Sequence, residues 1–161
     1  RILVGTKGDI ERMEGQGGLY QCRGGEWKMI VKGTTTANGM GFSPDLATFY
    51  FIDTPSKNIY AYSYDHATGD VSDERIFAHL EDGGMPDGMC VLDDGRICAA
   101  EWNGGKVAIF TPDGKLDDVI PLPVTNVTSC CVAGDKLFIT TAKCKDKDEP
   151  MAGGLFVAEL R

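Results

Sequence analysis

The chain has 161 residues, 42% of them hydrophobic, with 16 Lys and Arg against 24 Asp and Glu and a formal net charge of −8. That is enough to bury the core of one domain, while the acidic balance argues against a nucleic-acid groove, which needs a basic stripe to displace counterions. No apolar run approaches the roughly 18 residues of a membrane span, and the opening RILVGTKGD lacks the layout of a signal peptide.

Helical periodicity is nearly absent along the chain. Short β-type runs punctuated by turns recur instead: ATFYFID, NIYAYSY, GMCVL, RICAAEW, KVAIF, SCCVA, KLFITTA and GGLFVAEL. The segment 38–65 (NGMGFSPDLATFYFIDTPSKNIYAYSYD) lines up with 87–114 (DGMCVLDDGRICAAEWNGGKVAIFTPDG). TSCCVAGDKLFITTA (128–142) follows the same scheme, then an inserted KCKDKDEPM, then GGLFVAEL. Each unit reads as an inner strand, a polar turn, a second strand ending in Asp53, Glu101 or Thr141, a loop and a third strand.

The units start 49 and 41 residues apart. Repeats of about 40–50 residues holding some four short strands are the signature of propeller blades. The expected fold class is therefore all-β, a β-propeller in preference to a sandwich. RILVGTK (1–7) matches the second strand of a blade and GGLYQCRGGEW (17–27) the third, with no inner strand before Arg1. Residues 1–161 thus read as about three and a half blades, the C-terminal portion of one propeller domain. Its N-terminal blades would be supplied in cis or by another chain, because an open ring leaves unpaired strand edges.

Pro-Asp-Gly occurs twice. Asp113 sits between VAIF and KLDDVI and reads as a hairpin turn. Asp87 instead opens an inner strand, and its repeat equivalents are Asn38 and Thr128. In a propeller the three would converge on the axis from successive blades. Oxygen donors aimed at one point suit a hard cation such as calcium or magnesium. Spacing alone leaves a second reading open, in which Asn38-Gly39 and Asp87-Gly88 are turn dipeptides.

Other features read more plainly. The six cysteines, Cys22, Cys90, Cys98, Cys130, Cys131 and Cys144, form no CxxC pair. They are expected as reduced thiols of a cytoplasmic protein. The Asn126-Val127-Thr128 sequon carries no weight. Trp102 is placed at the end of its blade opposite the inner-strand start, as blade-to-blade packing. Ser129 with His66 or His79 lacks a nucleophile elbow, so a serine hydrolase is rejected. The run 143–154, with Asp146, Asp148 and Glu149, lacks EF-hand spacing and reads as a mobile, solvated loop rimming the pocket.

NGMGFSPD, YFIDTPSKNIYAYSYD, TGDVSDERIF, PDGMCVLDDGRI, EWNGGKV, TSCCVAG and AGGLF, in that order, resemble the gluconolactonase family, also called the senescence marker protein, regucalcin or luciferin-regenerating enzyme family. The resemblance implies a six-bladed propeller of about twice this length with one divalent cation on its axis. Calcium comes first, with zinc, magnesium or manganese as alternatives. It implies Asn38 and Asp87 as metal ligands and Asp87 as general base. The remaining ligands and the residues that bind substrate fall in the absent half. The implied activity is metal-dependent hydrolysis of a lactone, in which the cation polarises the C=O and Asp87 takes a proton from the attacking water. An organophosphate or ester hydrolase with the same site, and a non-enzymatic calcium-binding regulator, are the alternatives.

Overall fold

The computed structural model describes residues 1–8, 14–81 and 83–160. Fourteen strands among them form four separate antiparallel sheets, taken in sequence order. The first sheet is β1 (Ile2–Gly5), β2 (Gly17–Arg23) and β3 (Glu26–Thr34). The second is β4 (Ala37–Phe42), β5 (Thr48–Asp53), β6 (Asn58–Tyr64) and β7 (Val71–His79). The third is β8 (Met85–Val91), β9 (Ile97–Trp102), β10 (Lys106–Phe110) and β11 (Leu116–Pro121), and the fourth is β12 (Asn126–Ala133), β13 (Lys136–Ala142) and β14 (Leu155–Glu159). Each sheet is a simple meander, the arrangement that the repeat predicts. Among the described residues no helix is long and apolar enough to cross a membrane.

The middle strands carry apolar residues on both faces because their sheets are covered on both sides. Phe49 and Phe51 of β5 face the first sheet, where they join Leu19 and Tyr62. Tyr50 and Ile52 of the same strand face the third sheet and meet Ile97, Ala99 and Phe110. In β9 the alternation repeats: Ile97 and Ala99 point back, while Cys98 and Ala100 point forward to Val127, Leu137 and Ile139 of the fourth sheet. Three hydrophobic layers thus lie between four sheets, and each fully buried phenylalanine contributes roughly 1.5–3 kcal/mol.

The outermost strands look different. β3 and β7 are largely exposed, with Trp27 and Ile76 open to solvent. Each holds only a short apolar run, 29–31 in β3 and 76–78 in β7, and the sequence reading gave neither a place among its strands. They form because their inner neighbours offer a complete row of backbone partners, from Arg23↔Glu26 to Gly17↔Thr34 and from Tyr64↔Val71 to Asn58↔His79.

Three inner strands, β4, β8 and β12, lie side by side, and two glycines set their spacing. A Cβ on Gly39 would stand 2.8 Å from both the Asp87 carbonyl oxygen and the Met89 nitrogen. One on Gly88 would stand 2.3 Å from Ser129 Oγ and 2.8 Å from its Cα. Both glycines lie within strands, not at turns, so the turn-dipeptide reading of Asn38-Gly39 and Asp87-Gly88 is set aside. Asp113 is the turn residue: Gly114 N–H donates to the Thr111 carbonyl at 2.9 Å, and Gly114 takes a φ of +83° that closes the β10–β11 hairpin.

Gly39→Ala or Gly88→Ala in the intact protein is therefore expected to cost about 1–3 kcal/mol through overpacking against backbone that cannot yield. Gly83→Ala, where a Cβ would meet nothing within 4 Å, should be near neutral. Urea denaturation midpoints of the three variants check this.

Candidate metal and substrate site

Each inner strand carries an irregularity at the same place. In β4 the register passes from Ala37↔Asp53 to Met40↔Phe51, so one extra residue is accommodated around Asn38-Gly39. In β8 it passes from Pro86↔Glu101 to Met89↔Ala99, around Asp87-Gly88. In β12 it passes from Val127↔Thr141 to Ser129↔Thr140, around Thr128. A β-bulge re-aims the side chain it contains and is over-represented beside active sites. Asn38, Asp87 and Thr128 are the three residues so re-aimed.

Asn38 and Asp87 are brought together. The Asn38 amide hydrogen-bonds the Asp87 carboxylate and favours its ionised form, but the larger effect is burial, which raises the Asp87 pKa above the ordinary carboxylate value. Asn38 Nδ2 also donates to Thr54 Oγ1 at 3.0 Å, and the Thr54 hydroxyl donates to the Pro86 carbonyl at 2.8 Å. This relay ties the second sheet to the residue just before Asp87. An amide whose nitrogen faces Thr54 and Asp87 keeps its Oδ1 as an acceptor for another group. Thr128 occupies the equivalent bulge, but its hydroxyl pairs with Thr140 Oγ1 at 2.8 Å within its own sheet.

Carboxylates fasten the entries to these strands. Asp53, at the end of β5, accepts the N–H of Thr35 at 3.0 Å and of Thr36 at 2.7 Å, immediately before β4. Glu101, at the end of β9, is 2% exposed. Its carboxylate sits where a Cβ on Gly84 or Gly104 would fall, with Lys106 Nζ 3.7 Å from Oε1. In the fourth sheet the carboxylate comes from the insertion: Glu149 accepts the N–H of Thr125 at 3.0 Å and also the Thr125 hydroxyl. Those two bonds hold the Glu149 carboxyl below its usual range. Thr141, which ends the second strand in place of an acid, donates to the Gly154 carbonyl at 2.8 Å and accepts from Gly153 N–H. The largely exposed segment 143–154 is thus tied to the fourth sheet at two points, Glu149 and Gly153–Gly154.

Trp102 needs a correction. It pairs with Met85 across β8–β9, so it lies at the same end of the sheet as Asp87, not the opposite one. The second strand of an antiparallel pair must end where the first begins. Trp102 is half-buried and joins none of the three core layers. Thr54, its equivalent, is the residue that orients Asn38, a role that the sequence signalled only through its position directly after Asp53. Both histidines are exposed, and His79 Nδ1 lies 2.7 Å from Asn58 Oδ1. Asn126 of the sequon is 2% exposed, which rules it out as a glycan acceptor in the folded chain. A groove of about 490 Å³ opens beside the Asp53 clasp, bordered by Glu14, Thr35, Pro55 and Ser56.

Two outcomes follow from these contacts. With chelator present, Asp87→Asn in the intact protein should raise Tm at neutral pH. The raised pKa of Asp87 means that its contribution is fully present only below the unfolded value of about 3.9 and is lost as pH rises through the folded value. The advantage of the asparagine should therefore vanish below about pH 3.9, and thermal melts across pH check it. Glu149→Ala should release the insertion, seen as faster proteolytic cleavage at Lys145 and Lys147 with the rest of the chain still resistant.

The family model described as the SMP-30/Gluconolactonase/LRE-like region matches residues 1–143. The chain is 37% identical over 131 residues to regucalcin of Xenopus laevis, covering 74% of this chain and 44% of the relative. It is 41% identical over 117 residues to the pentonolactonase XacC of Haloferax volcanii, covering 70% of this chain and 40% of the relative. The chain thus spans less than half the length of these curated relatives. Among solved structures, the calcium-binding regucalcin of Agrobacterium tumefaciens superimposes with a TM-score of 0.88 at 26% identity, over 96% of this chain and 56% of that one. With the meander sheets, the paired bulges and these likenesses together, the chain belongs to the SMP-30/gluconolactonase/LRE-like family.

Proposed function

We propose that this chain is the C-terminal portion of a six-bladed propeller that holds one divalent cation on its axis and hydrolyses a lactone. The observation that carries the reading is the meeting of Asn38 and Asp87 on matched bulges of neighbouring inner strands. The pentonolactonase among the relatives supports the reaction class, and the calcium-binding neighbour supports the ion. The outward faces of the first and fourth sheets support further blades: Ile2 is 62% exposed and Leu155 65%, apolar surface of the kind that the internal layers bury. Those blades would belong to the same protein or to a partner chain.

The donors present fit such an ion in kind. A half-buried carboxylate and an amide oxygen are the hard ligands that calcium or magnesium takes, with zinc and manganese as further candidates. No group of three or more His, Cys, Asp or Glu that could hold a metal occurs among the described residues. Asn38 and Asp87 would therefore supply part of the ligand set, and the remaining blades and water the rest. A bound cation of this type supplies Lewis-acid polarisation of the substrate carbonyl and charge for the developing oxyanion.

The chain's own residues do the rest. Asp87 would help to hold the ion, and its carboxylate would accept the proton of the attacking water and return it to the departing ring oxygen. Asn38 would help to hold the ion with its amide oxygen while its nitrogen keeps Asp87 in place, and Thr54 keeps Asn38 from rotating away. Trp102 and the groove beside Asp53 lie at the same ends of their sheets as Asp87 and Asn38 and give the substrate an approach. The regucalcin relatives favour a second reading, in which binding calcium is the function itself.

Asp87→Ala in the intact protein should lower hydrolysis of an aldonolactone by at least about 10²-fold, the scale of a lost general base, and calcium titration should show weakened binding. Unchanged lactonase activity in that variant would sink the enzymatic reading. Tight calcium binding by the unsubstituted protein with no hydrolysis of any lactone or ester would favour the second.

A further inference from the structure

The inner strands β8 and β12 approach most closely where Gly88 meets Ser129. Two residues beyond Gly88 and one beyond Ser129, the side chains of Cys90 and Cys130 face each other with their sulfurs 3.8 Å apart. Cys130 is buried at 6% exposure and turns its thiol toward the Cys98 carbonyl at 3.3 Å, while Cys90 is half-buried. A thiol that served only as a small hydrophobe would need no sulfur opposite it. Here the two sulfurs already touch, on strands whose backbones a glycine holds together. A disulfide requires them to close to about 2.05 Å.

The environment also divides the roles. The neighbouring thiols of Cys130, first, and Cys98 favour the Cys90 thiolate and hold it below the usual thiol range, against the effect of burial. The same contact with Cys90, and then burial, push the Cys130 thiol up. Cys90 is the partly accessible nucleophile and Cys130 the protonated partner.

We propose that Cys90 and Cys130 form a reversible disulfide that staples the inner strands of two adjacent sheets, with hydrogen peroxide as oxidant. The Cys90 thiolate attacks one peroxide oxygen; the O–O bond breaks, leaving Cys90 as sulfenic acid and releasing hydroxide, which takes up a proton as water. The Cys130 sulfur then attacks the Cys90 sulfur; the S–S bond forms, the S–O bond breaks, and the hydroxyl leaves with the Cys130 proton as a second water. Two thiols are oxidised to one disulfide and one peroxide is reduced to two waters. Exchange with a small dithiol reverses it. The staple joins β12 to β8, the strand that carries Asp87, and it does not depend on what that site hydrolyses.

The test treats the intact protein with hydrogen peroxide, blocks remaining thiols with iodoacetamide and maps peptides before and after dithiothreitol. A Cys90–Cys130 linked peptide that disappears on reduction is expected. It should come with a higher Tm for the oxidised protein, a gain that Cys130→Ser removes and Cys131→Ser keeps, since Cys131 is exposed. Sulfinic or alkylated Cys90 without a crosslink overturns the proposal, as does a crosslink from Cys90 to Cys98, its direct partner in the β8–β9 register. If Cys130→Ser does not fold, the peptide map of the unsubstituted protein decides alone.

Discussion

The arrangement rests on the absence of one carbon atom at Gly39. Because that residue has no Cβ, the backbone of β4 lies directly against the Asp87 carbonyl and the Met89 nitrogen of β8. Any other side chain would prise the two strands apart where their bulges meet. The separation would spread outward, since Ile52 from the second sheet and Met89 from the third pack in the same hydrophobic layer just behind this contact. Gly88 repeats the device against Ser129 one sheet further on. Packing at crystal-like density leaves no slack for a methyl group at either point.

The acidic composition finds its use around the same strands. Asp53 and Glu149 are acceptors for the backbone N–H groups that enter β4 and β12. Glu101 is buried at the corresponding entry to β8. A strand that begins at a channel cannot pair its first N–H groups with a neighbour, and a buried unpaired N–H is costly. At β4 a carboxylate from the end of the next strand, Asp53, solves this locally, two residues before Asn38. In the fourth sheet Thr141 replaces the acid, and an inserted segment brings Glu149 to the vacated role. Two sequence solutions serve one backbone requirement.

Asp87 and Asp113 show how far one tripeptide underdetermines a role. Asp113 is exposed, bonds Thr111 and Lys115 within its own turn, and has its pKa lowered by them. Asp87 follows its proline inside a strand, half-buried, with its pKa raised by burial. Each shift reports the surroundings: local hydrogen bonds stabilise the charge in one case, and removal from water opposes it in the other.

Much of this was legible in the residues. Consecutive apolar residues inside runs such as ATFYFID and RICAAEW fit strands covered on both faces. Their spacing required repeated meanders, and the offset between Asp87 and Asp113 within the repeat separated an inner-strand start from a turn. The outer strands β3 and β7 were not legible, because exposed strands need no apolar pattern and form only when a neighbour offers its hydrogen bonds. Nor were the Thr54 relay, the position of Trp102 beside Asp87, the pinning of the insertion by Glu149, or the contact of Cys90 with Cys130. Periodicity along a chain determines which faces must be covered. Which side chains then meet across sheets depends on contacts between residues some 32 to 40 positions apart, and only the close approach of the inner strands decides those.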